Sequence, residues 1–275
     1  MKGNMKTFIK KLLVRLSGGE RIQRFLEKNV EFSQALMGIG SGTDVESSGE
    51  QALVQKLRRW RAKTGGTLCV FDVGANQGQF LRMMQVGLRD VPVVFHAFEP
   101  GKQTFEILAD QTREYSNVRL NNFGLGRQTG EVELYFDRAG SGLASLSKRR
   151  LDHFGIKFEL SEKIKILTLD DYCQRQQIDT IDLLKLDVEG HELDVLQGGA
   201  ATFRAAKIKM LTFEFGGGNI DSRTYFQDFW YLLQEYGMRN IFRITPAGTL
   251  ARVRAYRETC EQFRTTNYFV SRDEM

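Results

Sequence analysis

The chain has 275 residues, of which 41% are hydrophobic and 27% are charged, and its formal net charge is +5. This length suits one large α/β domain or two small ones, and the lack of a long apolar stretch predicts no transmembrane helix. The three cysteines are far apart and odd in number, which argues against a disulfide framework or a zinc knuckle. We therefore expect a reducing, cytoplasmic location, and we find no pattern typical of a secretory signal.

The positive charge is concentrated in residues 1–30, which carry eight basic and two acidic side chains, a balance of +6 against about −1 for the rest. A nucleic-acid binder usually carries its basic patch on the folded domain, so we expect no nucleic-acid partner. Residues 5–16 have apolar side chains at helical spacing with basic ones opposite, which predicts a basic amphipathic helix. Such a helix can lie on an anionic membrane surface, as a peripheral contact, or dock on the main domain or a partner subunit.

Residues 38–49 are rich in Gly and Ser and predict a loop or linker, after which a second helical pattern places Leu53, Leu57 and Trp60 on one side. From residue 68 onward, strand patterns alternate with helical patterns. This alternation predicts βαβ units and a doubly wound, mostly parallel sheet of about seven strands. We therefore predict an N-terminal helical extension and linker over 1–64 and an α/β domain over 65–275.

Ligands of doubly wound sheets bind outside the carboxyl ends of the strands, so the residues that follow each strand are the candidates for a site. The first strand ends in "DVGANQG" at residues 72–78, where glycines let the backbone pass close to a ligand. Asn76 stands where a dinucleotide fingerprint has its second glycine, which disfavours NAD or FAD. The second strand ends in Glu99-Pro100, and Glu99 follows Gly78 at the spacing of an acid that binds ribose hydroxyls. Together these features indicate an adenosine-type ligand without a pyrophosphate, which S-adenosyl-L-methionine fits.

The third strand ends at residues 121–126, which we expect to lie beside the base of such a ligand. Phe123 or Leu125 could pack on adenine, and the side chain of Asn122 could form a hydrogen bond near Gly124. The alternative is an ordinary loop.

The fourth strand ends in a run of charged side chains at residues 185–192, "KLDVEGHE". Charged groups at the end of a buried strand are costly to bury, which favours a functional role. Asp187 and Glu189 could instead favour the start of the next helix, but that leaves Lys185 unexplained, since it shares a face with Asp187. Glu214 ends the fifth strand, and the "GGGN" stretch at 216–219 predicts a flexible loop that gates the substrate. With the irregular segment 138–163, this loop should shape the acceptor pocket.

These segments together resemble the FkbM-type family of S-adenosylmethionine-dependent methyltransferases. The resemblance rests on "VFDVGANQGQF", "FHAFEP", "NVRLNNFGLG" with "GEVELYF" after it, "LTLDDY", "LLKLDVEGHELDVLQGG" and "LTFEF", and it covers about residues 65–245. It implies a Rossmann-like class I methyltransferase domain that methylates a hydroxyl of a sugar, a glycolipid or polysaccharide, or a related secondary metabolite.

The resemblance also implies roles for single residues. The cofactor site would include Asp72, Gly74, Asn76, Gly78 and Glu99, and the strand ends add Pro100, Asn122, Gly124, Leu125 and Asp187. Gly124 stands where the family more commonly has alanine. The catalytic mouth would contain Lys185, Asp187, Glu189 and His191, with Asp187 as the first candidate for the general base and His191 as the second. Glu189, Glu192 and Glu214 would orient the sugar or hold a divalent cation, although we predict no metal site.

Three other functions compete with this one. The chain could be a non-catalytic nucleotide-binding protein of the same fold, a nicotinamide-dependent dehydrogenase, or a methyltransferase with a protein or nucleic-acid acceptor. The intact glycine turn, Glu99 and the charged run at 185–192 argue against the first, and Asn76 argues against the second. The nearly neutral charge of residues 31–275 argues against a nucleic-acid acceptor.

Overall fold

The structure of the protein is a computed structural model that describes residues 7, 11, 14–42 and 48–273. The predicted helix over 5–16 therefore lies largely outside the described residues, although Thr7, Lys11 and residues 14–16 are helical. No helix within the described ranges is both long and apolar enough to span a bilayer.

Two long helices precede the first strand, and they differ in burial. Helix α1 (Glu20–Met37) has no buried residue, and Gly38 ends it in the left-handed conformation. Helix α2 (Ala52–Thr64) buries Leu53, Val54 and Leu57 against the first strand and the helix after it. Residues 52–64 are therefore packed into the core of the α/β domain, whereas α1 stands outside it.

The strands form two sheets. They are β1 (Leu68–Val73), β2 (Val93–Phe98), β3 (Val118–Asn121), β4 (Gly124–Leu125), β5 (Gly130–Phe136), β6 (Leu160–Leu167), β7 (Ile181–Leu186), β8 (Ile208–Phe215), β9 (Asn240–Ile244), β10 (Leu250–Arg252) and β11 (Thr266–Ser271). The main sheet has the order β10-β9-β11-β8-β7-β1-β2-β3. Its centre is parallel, and β11 runs antiparallel between β8 and β9.

The main sheet confirms the predicted doubly wound, mostly parallel α/β architecture, but it has eight strands rather than seven. The additional strand is β10, which pairs antiparallel with β9 at the edge of the sheet. Three residues are too few to show an alternating pattern, which explains why the sequence did not reveal it.

The second sheet has the order β4-β6-β5. The predicted third strand is wrong in its extent, because the chain leaves the main sheet after Asn121 and Gly124–Leu125 pair with β6 instead. Leu134, Ile164 and Ile166 form a small apolar cluster on this sheet.

The helices after β1 are α3 (Gln79–Gly87), α4 (Lys102–Thr112), α5 (Leu169–Arg175), α6 (Glu192–Gly198), α7 (Ala200–Arg204), α8 (Gly218–Ser222) and α9 (Phe226–Glu235). Strand β6 ends at the first residue of "LTLDDY", and Thr168 then caps α5 by accepting a hydrogen bond from the Asp171 N–H. The helical stretch after β7 is divided at Gly199 into α6 and α7. The "GGGN" stretch, which we predicted to be a flexible loop, contributes its last two residues to the start of α8.

Candidate active site

A cavity of about 400 Å³ lies at the carboxyl ends of β1, β2, β7 and β8. Its other walls come from the small sheet, from residues 141–146 and Arg149 of the irregular segment, and from Gly42 and Glu50. Small-molecule sites typically have volumes of about 300–1,000 Å³, so this cavity is large enough for one nucleoside-sized ligand.

Most of the residues predicted for the site line this cavity. They are Gly74, Asn76, Glu99, Pro100, Gly124, Leu125, Lys185, Asp187, Glu189 and His191. Asp72, Gly78, Asn122 and Phe123 are not among its lining residues. The side chain of Asn122 instead donates hydrogen bonds to the carbonyls of Glu99 and Pro100, at 3.0 and 3.2 Å, and so holds the end of β2.

The two glycines of the turn after β1 each allow a close approach of another part of the chain. Gly74 has a φ of +79°, and a Cβ there would lie 1.8 Å from the carbonyl oxygen of Asp187. Only glycine therefore lets the ends of β1 and β7 approach this closely. At Gly78 a Cβ would meet the side chain of Leu108 at 2.9 Å, so this glycine allows α4 to pack against the turn.

Glu99 is held by backbone groups on two sides. Its Oε2 accepts a hydrogen bond from the Asn76 N–H at 3.0 Å, and its Oε1 accepts one from the Gly101 N–H at 2.9 Å. Burial raises the pKa of Glu99 to about 7, although the two backbone hydrogen bonds act in the opposite direction. A carboxylate has about four acceptor positions, so two remain for a ligand.

An adenosyl group fits the residues at this end of the cavity. Its ribose carries two hydroxyl groups, which can donate to the remaining acceptor positions of Glu99. The buried Oδ1 of Asn76 has no hydrogen-bond partner among the described residues, so it can accept from a ligand. Leu125, which is nearly fully buried, supplies an apolar surface on the cavity wall.

Lys185 connects the cavity to the centre of the sheet. Its Nζ lies 3.0 Å from Oδ2 of Asp187 and 3.4 Å from Oδ1 of the fully buried Asp72. Burial lowers the pKa of Lys185, but the carboxylates of Asp187, Asp72 and Glu50 outweigh burial and raise it overall. Burial also raises the pKa of Asp72 to about 6, and Lys185 opposes this shift. Asp72 therefore pairs with Lys185 inside the sheet, away from the cavity, while Asp187 pairs with it at the cavity wall.

Two further acidic residues at the β7–β8 end of the cavity, Glu189 and Glu214, differ in their surroundings. Glu189 forms an ion pair with Arg149, and burial and the nearby Asp187 raise the pKa of Glu189 while Arg149 opposes this. Glu214 lines the cavity, and its side chain forms no hydrogen bond or ion pair within the described part of the chain. Burial raises the pKa of Glu214 well above the usual range, and the nearby Asp187 raises it further. We call the part of the cavity formed by Glu189, Arg149 and Glu214 the side wall. It thus offers both a carboxylate paired with an arginine and a carboxyl group that can hold a proton.

His191 is held by both of its ring nitrogens. Nδ1 lies 2.8 Å from Oδ2 of Asp194, and Nε2 lies 3.0 Å from Oγ of Ser147. In neutral histidine a bond from Nδ1–H to the carboxylate of Asp194 leaves the lone pair on Nε2, which then accepts from the Ser147 hydroxyl. This arrangement places Nε2 of His191, a basic nitrogen, on the cavity wall, with the carboxylate of Asp194 bound to the other ring nitrogen.

Glu192 was predicted to orient the sugar or to hold a cation, but its carboxylate binds backbone groups of its own loop. It is buried, and its Oε1 accepts hydrogen bonds from the N–H groups of Val188 and Gly190, at 3.0 and 3.2 Å. It therefore fixes the loop between β7 and α6. Within the described ranges, no three His, Cys, Asp or Glu side chains are grouped so that they could hold a metal ion.

Sequence reasoning missed three residues of this site. Glu50 lines the cavity, accepts a hydrogen bond from Ser48 at 2.9 Å, and has a pKa that burial raises to about 7. Arg149 lies in the irregular segment, and Asp194 lies in the first turn of α6. Asp194 could have been found, because it follows His191 at the i, i+3 spacing of neighbouring side chains on a helix.

Comparisons with known proteins identify the family of this chain. A family model described as "Methyltransferase FkbM domain" matches residues 72–239, which is more than half of the chain. The chain is 25% identical over 142 residues to the 2-O-methyltransferase NoeI of Sinorhizobium fredii. This alignment covers 48% of this chain and 58% of that protein. The chain is 28% identical over 130 residues to the hexuronic acid methyltransferase AglP of Haloferax volcanii, which covers 47% and 48%.

The aligned region thus spans only about half the length of each of these two relatives. Among solved structures, the FkbM methyltransferase of Methylobacillus flagellatus KT matches with a TM-score of 0.45 and 17% identity, covering 88% of this chain and 59% of that one. The family match and the cavity lead to one conclusion. The chain belongs to the FkbM family of S-adenosylmethionine-dependent methyltransferases.

Proposed function

We propose that this protein is an O-methyltransferase whose acceptor is a hydroxyl group of a sugar, a glycolipid or polysaccharide, or a related secondary metabolite. The observation that carries the proposal is the position of His191, with Asp194 behind it, on the same cavity wall as the Lys185–Asp187 pair. A hydroxyl is a poor nucleophile and must lose its proton as it is methylated, and this wall supplies a proton acceptor. The names of the two relatives, a 2-O-methyltransferase and a hexuronic acid methyltransferase, support a sugar acceptor.

Glu99, Asn76, Gly74 and Leu125 would hold the cofactor. S-adenosylmethionine supplies a methyl group on a sulfonium, which already has a good leaving group. Much of the work of the protein is then to align the acceptor hydroxyl at about 3 Å from the reacting carbon and to remove its proton.

We assign the general base to His191 rather than to Asp187. Asp187 is already engaged in a charged pair with the ammonium group of Lys185, 3.0 Å from Oδ2, whereas Nε2 of His191 has a neutral hydroxyl, that of Ser147, as its partner. When the acceptor hydroxyl takes the place of the Ser147 hydroxyl at Nε2, His191 can accept its proton while Asp194 stabilises the imidazolium through Nδ1. Asp187 then orients the acceptor molecule by accepting a hydrogen bond from a neighbouring hydroxyl group of the sugar, because the reacting hydroxyl gives its one proton to His191.

The side wall suits a polar acceptor. Glu189 with Arg149 offers acceptors and donors in a fixed geometry, and Glu214 offers a carboxyl group that can donate as well as accept. A sugar presents several hydroxyl groups, each of which can donate and accept, so it matches this mixture of groups better than an apolar acceptor does.

The test is transfer of a labelled methyl group. The full chain is incubated with methyl-labelled S-adenosylmethionine and a cell extract, and the products are divided by treatment with protease, nuclease and glycosidase. We expect glycosidase-sensitive or lipid-extractable label that mild base does not release, as for an ether. Label that is lost to protease or nuclease would contradict the proposed acceptor class. Failure of the protein to bind the cofactor in calorimetry would contradict the enzymatic function itself.

A further inference from the structure

Helix α1 carries an apolar face that the rest of the described protein leaves exposed. The face consists of Ile22, Phe25, Leu26, Val30, Phe32 and Leu36, whose spacings of three, four and seven residues place them on one side of the helix. Phe25, Phe32 and Leu36 are each 65% exposed, and the other three are 42–55% exposed. Single exposed apolar side chains are ordinary, but a stripe of six along one side of a helix of 18 residues, interrupted by Asn29 and Ser33, marks a binding surface.

The opposite face of α1 is charged and nearly balanced. It carries Arg21, Arg24 and Lys28 together with Glu20, Glu27 and Glu31, and Arg24 and Glu20 form an ion pair at 3.1 Å. Helix α1 is therefore amphipathic without a net charge of its own.

The segment immediately before α1 supplies the charge. Residues 1–19 contain five basic side chains, Lys2, Lys6, Lys10, Lys11 and Arg15, and no acidic one. In the described part of this segment, Val14 and Leu16 are 63% and 60% exposed. Five positive charges next to an exposed apolar stripe are complementary to a surface that is both anionic and apolar.

The carboxyl end of α1 is fixed to the α/β domain. The Arg243 side chain donates to the carbonyl of Met37 at 2.7 Å, and the Arg264 side chain donates to the side chain of Gln34 at 2.7 Å. The helix is thus attached at its last turn, while its apolar face stays accessible along its whole length.

We propose that α1 and the basic segment before it dock the protein on an anionic lipid surface, with the apolar face of α1 in contact with the boundary between headgroups and acyl chains. Burial of an amphipathic face and attraction to anionic lipid act together in such helices. Docking of two copies through this face is less favourable, because it would bring two segments with five positive charges each close together.

The experiment is flotation of the full chain with lipid vesicles. One set of vesicles is phosphatidylcholine alone, and the other is phosphatidylcholine mixed with phosphatidylserine. We expect the wild-type protein to float with the mixed vesicles and to be released when the salt is raised from about 0.1 M to about 1 M, because the screening length shrinks from about 10 Å to about 3 Å.

Two double variants separate the apolar contribution from the charge. Phe25→Glu with Phe32→Glu places two acids on the apolar face, and we expect it to lower the bound fraction at least about tenfold. Lys28→Gln with Ala35→Glu changes the net charge by the same amount on the opposite face. We expect this control to lose at most about threefold, because the two changed positions lie about 10 Å from the lipid. Both variants should keep the unfolding temperature of the wild type, since all four side chains are exposed.

Three results would overturn the proposal. The wild-type protein could fail to float with the mixed vesicles, or both double variants could bind equally well. Alternatively, sedimentation without lipid could show a dimer that Phe25→Glu with Phe32→Glu dissociates, in which case a second copy covers the face. None of these measurements depends on methyl transfer, so the result stands apart from the proposed function.

Discussion

The two ends of the cavity hold their acidic residues in different ways. At the end formed by β1 and β2, the partners of Glu99 are two backbone N–H groups, those of Asn76 and Gly101. At the end formed by β7 and β8, the partners are side chains: Lys185 pairs with Asp187, and Arg149 pairs with Glu189.

This difference indicates which end is adapted to a constant ligand and which to a variable one. Backbone donors keep their positions when neighbouring side chains change, so the Glu99 end suits the part of a ligand that never varies. Side-chain pairs can be replaced one partner at a time, so the β7–β8 end can be adjusted to a new acceptor without disturbing the first end. We expect variants at the two ends to fail in different measurements.

The largest effect is expected from removing the general base at the β7–β8 end. His191→Ala should lower kcat about 10²–10⁴-fold, with little change in the affinity for the cofactor, because only the proton acceptor is lost. Ser147→Ala is the matched control, since it removes the partner at 3.0 Å from Nε2 and leaves the imidazole in place. The measurement is kcat and its pH dependence with an identified acceptor.

Asp194→Asn tests whether Asp194 acts through His191. It should shift the pH dependence of kcat/KM as well as lower the rate, because the amide no longer stabilises the imidazolium. If His191→Ala keeps nearly the full rate while Asp187→Asn loses it, the base is Asp187 and our assignment of the two roles is wrong.

The next effect concerns stability at the centre of the sheet. Lys185→Met leaves Asp72 buried without a counter-charge and should lower the free energy of unfolding by about 3–5 kcal/mol. Asp72→Asn combined with Lys185→Met removes both charges and should recover part of this loss. Unfolding in denaturant measures both variants. If the double variant is as unstable as the single one, Asp72 is not the group that needs Lys185.

A smaller effect is expected at the backbone-held end. Glu99→Gln should weaken cofactor binding about 10–100-fold, because hydrogen bonds to a charged acceptor contribute about 1.5–3 kcal/mol and the amide supplies fewer acceptor positions. Glu106→Gln removes an exposed acid from α4 and should bind as the wild type does. Calorimetry with S-adenosylmethionine gives both affinities, and equal values would exclude Glu99 as the ribose ligand.

The smallest effect is a dependence of binding on pH. Burial raises the pKa of Glu99 to about 7, so the carboxyl group is protonated in the folded protein below that pH. The protonated form is a poorer acceptor, and cofactor affinity should therefore fall by up to about tenfold between pH 8 and pH 6 and level off above pH 8. Glu99→Gln should remove this dependence. A wild-type affinity that stays constant between pH 5 and pH 8 would show that Glu99 does not titrate in this range.

Local patterns were enough to predict most of the fold. The strands β1, β2, β7 and β8 and the turn after β1 are short apolar runs with glycines or charges at their ends, which the sequence shows directly. The boundary between β3 and β4 could not be predicted, because it depends on pairing with Ile166 and Leu167, which lie far along the chain.

The candidate site shows the same limit. Residues that follow a strand, such as Glu99 and Asp187, were found because the carboxyl ends of parallel strands meet at one edge. Glu50 lies before the first strand, directly after the predicted loop 38–49 and at the start of the second helical pattern, and only the packing of α2 brings it near Lys185. Arg149 lacks a periodic pattern around it and is recognised only from its partner, Glu189.

The pair formed by Asp72 and Lys185 has a consequence for the assembly of the sheet. The two residues lie directly opposite each other on the neighbouring strands β1 and β7. If β7 slipped by one position along β1, the ammonium group would turn to the other face of the sheet, among apolar side chains and without a counter-ion. A buried ion pair adds little net stability, but it makes each misaligned pairing more costly than the native one. These two side chains thus specify which alignment the folding chain selects at its centre, before any ligand enters the finished cavity.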